Sequence, residues 1–310
     1  LLPPPKRFNS SRHPASPKRP NRDAMTTLRP IKTAFSCVLA LLVLTGCQRD
    51  VVLDDASRAA LTSAATEGSL PPSILGEGGA LRGASIAYLP GDTATVGYLS
   101  VPEGDGPFPA LIIIHEWNGL VDRVRQVADD LAAEGYVTLA VDLYEGRVGT
   151  NPMTNIMLVQ ETQADMPKVI NNLNTAVQYL KAREDVTGRV GAMGWCFGGG
   201  IALSFGLDGT DHEATAIFYG QLLDDPERLS HLSHEVYGTF AREDSRPAPE
   251  DVVRFEDALE RAGIPNDIHI YDAVGHGFWL RVDEDPAVRL APATDAWSRL
   301  MAYLDRTLGA

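Results

Sequence analysis

Cysteine is scarce in this 310-residue chain, with three in all, at positions 37, 47 and 196. Two of them fall in an amino-terminal stretch that reads as an export signal. The folded part therefore keeps one thiol, Cys196, and no intramolecular disulfide is open to it. Basic residues are also in deficit, with 27 Lys and Arg against 41 Asp and Glu and a formal net charge of −14. Residues 1–46 hold eight of those bases and one of the acids, which leaves 19 against 40, or about −21, for residues 47–310. Such a surface repels phosphate groups, which argues against nucleic acid and anionic lipid head groups as partners. The chain also lacks a good membrane-spanning run, since the apolar stretch Ala34 to Leu44 is too short to cross a bilayer. No internal repeat interrupts it.

The first methionine is Met25. Arg29 and Lys32 form a basic start, Ala34 to Leu44 a short apolar core, and Leu44-Thr45-Gly46-Cys47 resembles the lipoprotein signal box. In that box the cysteine is lipidated and becomes the first residue of the mature chain. The expectation is an upstream disordered extension over 1–24, a lipoprotein signal peptide over 25–46 and a flexible tether over 47–80. One folded domain then occupies 81–310. Gln48 stands where an Asp would signal inner-membrane retention, so the expected location is the periplasmic side of the cell envelope, on the outer membrane.

The pattern of the folded part alternates. Ala84–Leu89 and Ala94–Val101 read as short strands around a Pro90-Gly91-Asp92 turn, paired at a sheet edge. Ala110 to Ile114 is a continuous apolar run, which suits a central strand buried on both faces. Helical spacing over Val124–Leu131, a strand over Tyr136–Val141 and a helix stripe over Met166–Leu180 follow. Strands over Val190–Met193, Ala214–Tyr219, Val236–Phe240 and Ile268–Tyr271, and helices over Val252–Ala262 and Leu290–Leu308, complete it. Repeated strand–helix units imply an α/β fold with a mostly parallel central sheet and helices on both faces.

Gly194-Trp195-Cys196-Phe197-Gly198 lies where one such strand turns into a helix. A strand that turns sharply into a helix strains and exposes its corner residue, and its neighbours at two positions either side must lack bulk. The segment resembles the nucleophile elbow of hydrolases with cysteine in place of serine, and a thiolate would suit the same acyl transfer. The chain order of such sites is nucleophile, acid, histidine. Gly275-His276-Gly277-Phe278 follows the last expected strand and offers His276 as the base. Asp244, or failing that Glu243, follows the strand Val236–Phe240 and offers the acid. His115-Glu116-Trp117-Asn118-Gly119 begins like a zinc-protease motif, but Gly119 stands where the second histidine is needed and the segment follows a strand, so no metal is expected. In the hydrolase layout the backbone N–H groups of Trp117 and Phe197 would form the oxyanion hole.

With these pieces in order the chain resembles the dienelactone hydrolase family. The matching segments are the elbow at 194–198, Glu116 with Gly119, Asp142-Leu143-Tyr144, Asp244-Ser245-Arg246-Pro247-Ala248-Pro249 and Gly275-His276-Gly277-Phe278. The resemblance implies a Cys196–His276–Asp244 triad in which Glu116 holds the resting thiol and takes its proton when substrate arrives. It also implies two arginines for a substrate carboxylate, here Arg281 and Arg147. The expected activity is hydrolysis of a small-molecule ester or lactone through an acyl-cysteine, with no cofactor. A thioesterase would use the same machinery, and a lipid-anchored binding protein on a hydrolase fold is the non-catalytic alternative.

Overall fold

The computed structural model describes residues 70–309. The signal segment, Cys37, Cys47, the extension over 1–24 and the tether as far as residue 69 lie outside the described residues.

Eight strands form one sheet: β1 (Ala84–Ile86), β2 (Gly97–Ser100), β3 (Phe108–Ile114), β4 (Val137–Val141), β5 (Val186–Trp195), β6 (Ala214–Phe218), β7 (Val236–Ala241) and β8 (Asn266–Tyr271). Their order is β1-β2-β4-β3-β5-β6-β7-β8. The two pairings that involve β2 are antiparallel and the other five are parallel. The continuous apolar runs have a simple cause. Ala110 to Ile114 sit in the middle of a sheet covered on both sides, so neither set of side chains meets water. Successive residues still point to opposite faces: Leu111 and Ile113 pack with one core, Ala110, Ile112 and Ile114 with the other.

The first core is closed by α1 (Asp122–Ala133) through Val124, Val127 and Leu131, together with the carboxyl-terminal helix through Trp297, Leu300 and Leu304. The second is closed by α3 (Met166–Lys181) and α4 (Phe197–Asp208). Helix α6 (Pro249–Ala262) packs over β7 and β8 through Val252, Phe255 and Leu259. The carboxyl-terminal helix is α7 (Pro286–Leu308).

Three features differ from the sequence reading. Helix α2 (Pro152–Gln163) has no apolar stripe, because only Asn155 and Leu158 are buried while Met153, Ile156 and Met157 are exposed. Its mark in the sequence is local: Asn151 caps it, with Thr154 answering in a capping box and Pro152 at the first turn. Short helical turns also form at α5 (Pro226–Leu229) and, as a 3-10 helix, at Trp279–Glu284. The tether expected over 47–80 does not extend through its last part. Leu70, Ile74 and Leu75 are buried in the first core, so the folded domain includes residues 70–80 rather than beginning at 81.

Candidate active site

Cys196 stands between β5 and α4 with φ 55° and ψ −116°, a left-handed conformation that costs a non-glycine residue about 1–3 kcal/mol. The corner is held by its surroundings. The Cys196 N–H donates to Phe218 O at 2.9 Å. The flanking glycines are needed for close approach. A Cβ on Gly194 would lie 2.4 Å from Gly198 O, and one on Gly198 would lie 2.3 Å from Ile114 O and 2.5 Å from His115 O. The elbow is thus wedged against the end of β3, which brings the loop 115–119 beside the thiol.

The loops after β7 and β8 supply the next two groups. His276 Nδ1 donates to Asp244 Oδ2 at 2.7 Å, and Asp244 Oδ1 accepts the Arg246 N–H at 2.8 Å. Asp244 is buried and Glu243 exposed, which selects Asp244 from the pair considered in the sequence. Burial works against the Asp244 charge, but the bonds from His276 and from the Arg246 backbone outweigh it and hold the carboxyl below its ordinary range. Burial also opposes a charged His276. Hydrogen bonds to Asp244 and Cys196 overcome that and push the imidazole up to about 10.

Glu116 is buried, and its Oε1 has no hydrogen-bond partner. Desolvation pushes its carboxyl upward, against the positive charges of Arg281, His276 and Arg123. The preceding His115 has a structural assignment. Its Nδ1 donates to Glu116 O at 2.7 Å and its Nε2 accepts the Leu143 N–H at 3.2 Å, so both ring nitrogens are occupied. Burial holds it neutral. Tyr144 donates to Trp117 O at 3.1 Å and packs on His115 and Phe197, which steadies the same loop. The Trp117 N–H has no acceptor among the described residues, and Phe197 opens α4, where the first N–H groups point out of the helix.

Cys196 and His276 face a cleft of about 660 Å³ that Trp117, Phe197, Tyr219 and Leu222 help to line. The two arginines do not meet there. Arg281 lies in the 3-10 helix, and its guanidinium carbon is 3.3 Å from where a Gly277 Cβ would stand. Arg147 is turned away from the cleft: it pairs with Glu161 at 2.6 Å, an acid supplied by the unforeseen helix α2. The cleft instead presents Arg246 and Arg254. Arg254 is bonded to both Asp224 and Asp251, while the Arg246 side chain forms no ion pair among the described residues.

The sequence reading also missed Tyr219. Its ring meets His276 edge-on at 5.1 Å, and its backbone takes φ 39° at the end of β6. No motif marks it; only the pairing of β5 with β6 brings it beside the elbow.

A mostly parallel sheet with a strained residue at the strand–helix corner and a histidine–carboxylate pair on later loops defines an α/β-hydrolase. Solved structures agree on the fold. A dienelactone hydrolase-like promiscuous phosphotriesterase from metagenomic libraries superposes with a TM-score of 0.66 at 21% identity, over 74% of this chain and all of that one. An acylaminoacyl peptidase of Pyrococcus horikoshii gives 0.57 at 13% identity, over 73% of this chain and 41% of that one. Residues 95–308 match the dienelactone hydrolase family, and the chain belongs to it. Among its relatives, a protein of Methylorubrum extorquens described as "Putative carboxymethylenebutenolidase" is 29% identical over 219 residues, which cover 66% of this chain and 75% of that protein. An Escherichia coli protein of the same description is 25% identical over 245 residues, 71% of this chain and 90% of that one.

Proposed function

We propose that this dienelactone hydrolase-like enzyme cleaves an ester or lactone with Cys196 as nucleophile. The observation that carries the reading is the His276–Asp244 bond of 2.7 Å beside a thiol held at a strained corner. Both groups face a cleft with room for a small molecule.

The bond to Asp244 favours the protonated form of His276, which suits it to donate a proton to the leaving group. Buried Glu116, with one oxygen unpartnered, is suited to accept the thiol proton. In the proposed cycle the Cys196 proton moves to Glu116 as substrate enters, and the thiolate forms a bond to the carbonyl carbon. The oxyanion is met by the Trp117 and Phe197 N–H groups. The C–O bond to the leaving group breaks and His276 donates its proton to that oxygen. In a lactone the leaving oxygen stays attached to the acyl chain. Neutral His276 then takes a proton from water, whose oxygen attacks the thioester carbonyl and releases the acid. Glu116 returns its proton to the thiolate. A thiol that is neutral at rest resists oxidation, which matters in the oxidising envelope compartment proposed for this chain.

The experiment is hydrolysis of chromogenic esters of graded acyl length, and of a dienelactone, by the parent and by Cys196→Ala. The variant should keep its circular dichroism and lose on the order of 10³-fold in rate. A brief reaction of the parent stopped in acid should show an acyl adduct on the peptide that holds Cys196. Full activity in folded Cys196→Ala would end the reading.

A further inference from the structure

Residues 70–77 lie outside the stretch that matches the family, yet they are part of the core. Leu70, Ile74 and Leu75 are buried, and the backbone turns tightly, with Ile74 N–H donating to Pro71 O at 3.0 Å and Glu77 N–H to Pro72 O at 2.8 Å. Ser73 N–H donates to Asp130 Oδ2 of α1 at 2.9 Å. The strap also touches the 3-10 helix Trp279–Glu284, since a Cβ on Gly76 would fall 2.6 Å from Asp283 Cγ.

Arg123 of α1 joins these parts. Its Nη1 donates to Ser73 O, and its Nη2 donates to Leu280 O and to Asp283 Oδ1, each at 2.8 Å. Leu280 and Asp283 bracket Arg281 in the chain. Within the bracketed segment Arg281 departs from helical backbone at φ −131° and ψ 37°, and its own N–H reaches Phe278 O only at 3.4 Å. Buried Leu280 and Val282, and Arg289 donating to Arg281 O at 2.7 Å, hold it from outside together with Arg123. A guanidinium is a rigid planar fork, so bonds to two segments from a third fix all three in relation to one another.

We propose that Arg123 is a positioning residue for the hydrolytic site, clasping the Leu280–Asp283 turn to the amino-terminal strap and so holding Arg281 in register with Glu116. The proposal rests on the reading of Glu116 as the thiol's base. The charges around Glu116 run the same way. Arg281 is the strongest positive influence on it, followed by His276 and by Arg123 itself, with Glu284 opposing them. Loss of the clasp would remove one charge directly and loosen the largest.

The test uses the full chain with Arg123→Ala, Arg123→Lys and Gly76→Ala. Rates are expressed per monodisperse, folded protein, judged by gel filtration and circular dichroism, so that misfolded protein does not count. Arg123→Ala should lose on the order of 10-fold in kcat, within what misplacement of a group remote from the chemistry can cost. Its kcat/KM profile should also shift on the acid side toward higher pH. The sign follows because activity needs ionised Glu116, and a carboxyl deprived of positive charge holds its proton to higher pH. Arg123→Lys keeps the charge without the fork and should restore the acid limb more fully than kcat. Gly76→Ala pushes the strap from Asp283 with no change of charge, should lower kcat as well, and carries the test if Arg123→Ala does not fold. A merely structural role would lower the melting temperature and leave both the rate per folded protein and the pH profile unmoved, and that result in folded variants would overturn the proposal. Glu116→Gln, assayed in parallel, separates the two readings. Full turnover in that variant would remove the base role, while a kcat loss in Arg123→Ala and Gly76→Ala would still mark the clasp.

Discussion

A carboxyl group taken out of water favours its neutral form, and Glu116 is held in that situation with one oxygen unpartnered. His276 is displaced upward by its contacts with Asp244 and Cys196. Two groups displaced in the same direction set a window. The base must be ionised and the acid protonated, so kcat/KM should rise with an apparent pKa above the ordinary glutamate range. It should fall on the alkaline side as His276, held above its ordinary range by the bond to Asp244, loses its proton. Rate profiles across that range check both limbs. Glu116→Gln should fold normally and lose on the order of 10²-fold in kcat, since an amide cannot accept the thiol proton. Near-parental turnover there would reduce Glu116 to a residue that orders the Trp117 loop.

The elbow is a contact between two elements as much as a turn within one. Gly198 is confined by the backbone oxygens of Ile114 and His115, which cannot swing aside as a side chain would. Gly198→Ala should therefore push α4 away from the end of β3, with a stability loss of about 1–3 kcal/mol or more and a fall in the rate of Cys196 turnover. Gly200, two residues further along α4, would place a Cβ 3.1 Å from the Gln221 Cβ. The Gln221 backbone N would also lie at 3.2 Å, so alanine there sets helix propensity against a squeeze of its neighbour and should cost clearly less than at Gly198. Equal melting temperatures for the two variants would refute this account of the elbow. Helix α2 makes the contrasting point: its exposed Met153, Ile156 and Met157 leave no periodic stripe, so its presence was legible only through its cap, and with it the partner that draws Arg147 away.

Across the whole molecule, the buried strap leads toward residues that carry the lipoprotein-like signal. We propose that lipidated Cys47 anchors the mature chain in the periplasmic side of the envelope, with the outer membrane favoured by Gln48. Mass spectrometry of the protein expressed with its signal should find a diacylated or triacylated Cys47 at the amino terminus, and the protein in the membrane fraction. An unmodified terminus at another residue would dismiss the anchor. The net negative charge of the domain offers anionic lipid no electrostatic attraction, so the anchoring would rest on the acyl chains.

The amino-acid sequence by itself determined the alternating α/β order, the two-sided burial of the central strands and the places of Cys196, Asp244 and His276 along the chain. Each is a local consequence: apolar runs record strands with no solvent face, glycines record a corner with no room, and catalytic-type residues stand at strand ends where loops begin. Only the tertiary structure decided among groups of equal local promise. It chose Asp244 over Glu243 by burial, spent Arg147 on Glu161, drew Tyr219 to His276 and drew the strap over 70–77 into the core. Those outcomes depend on which distant segment supplies the opposite charge or the covering surface. Such pairings, like that of Arg123 with Ser73, Leu280 and Asp283, leave no periodicity in the chain to read.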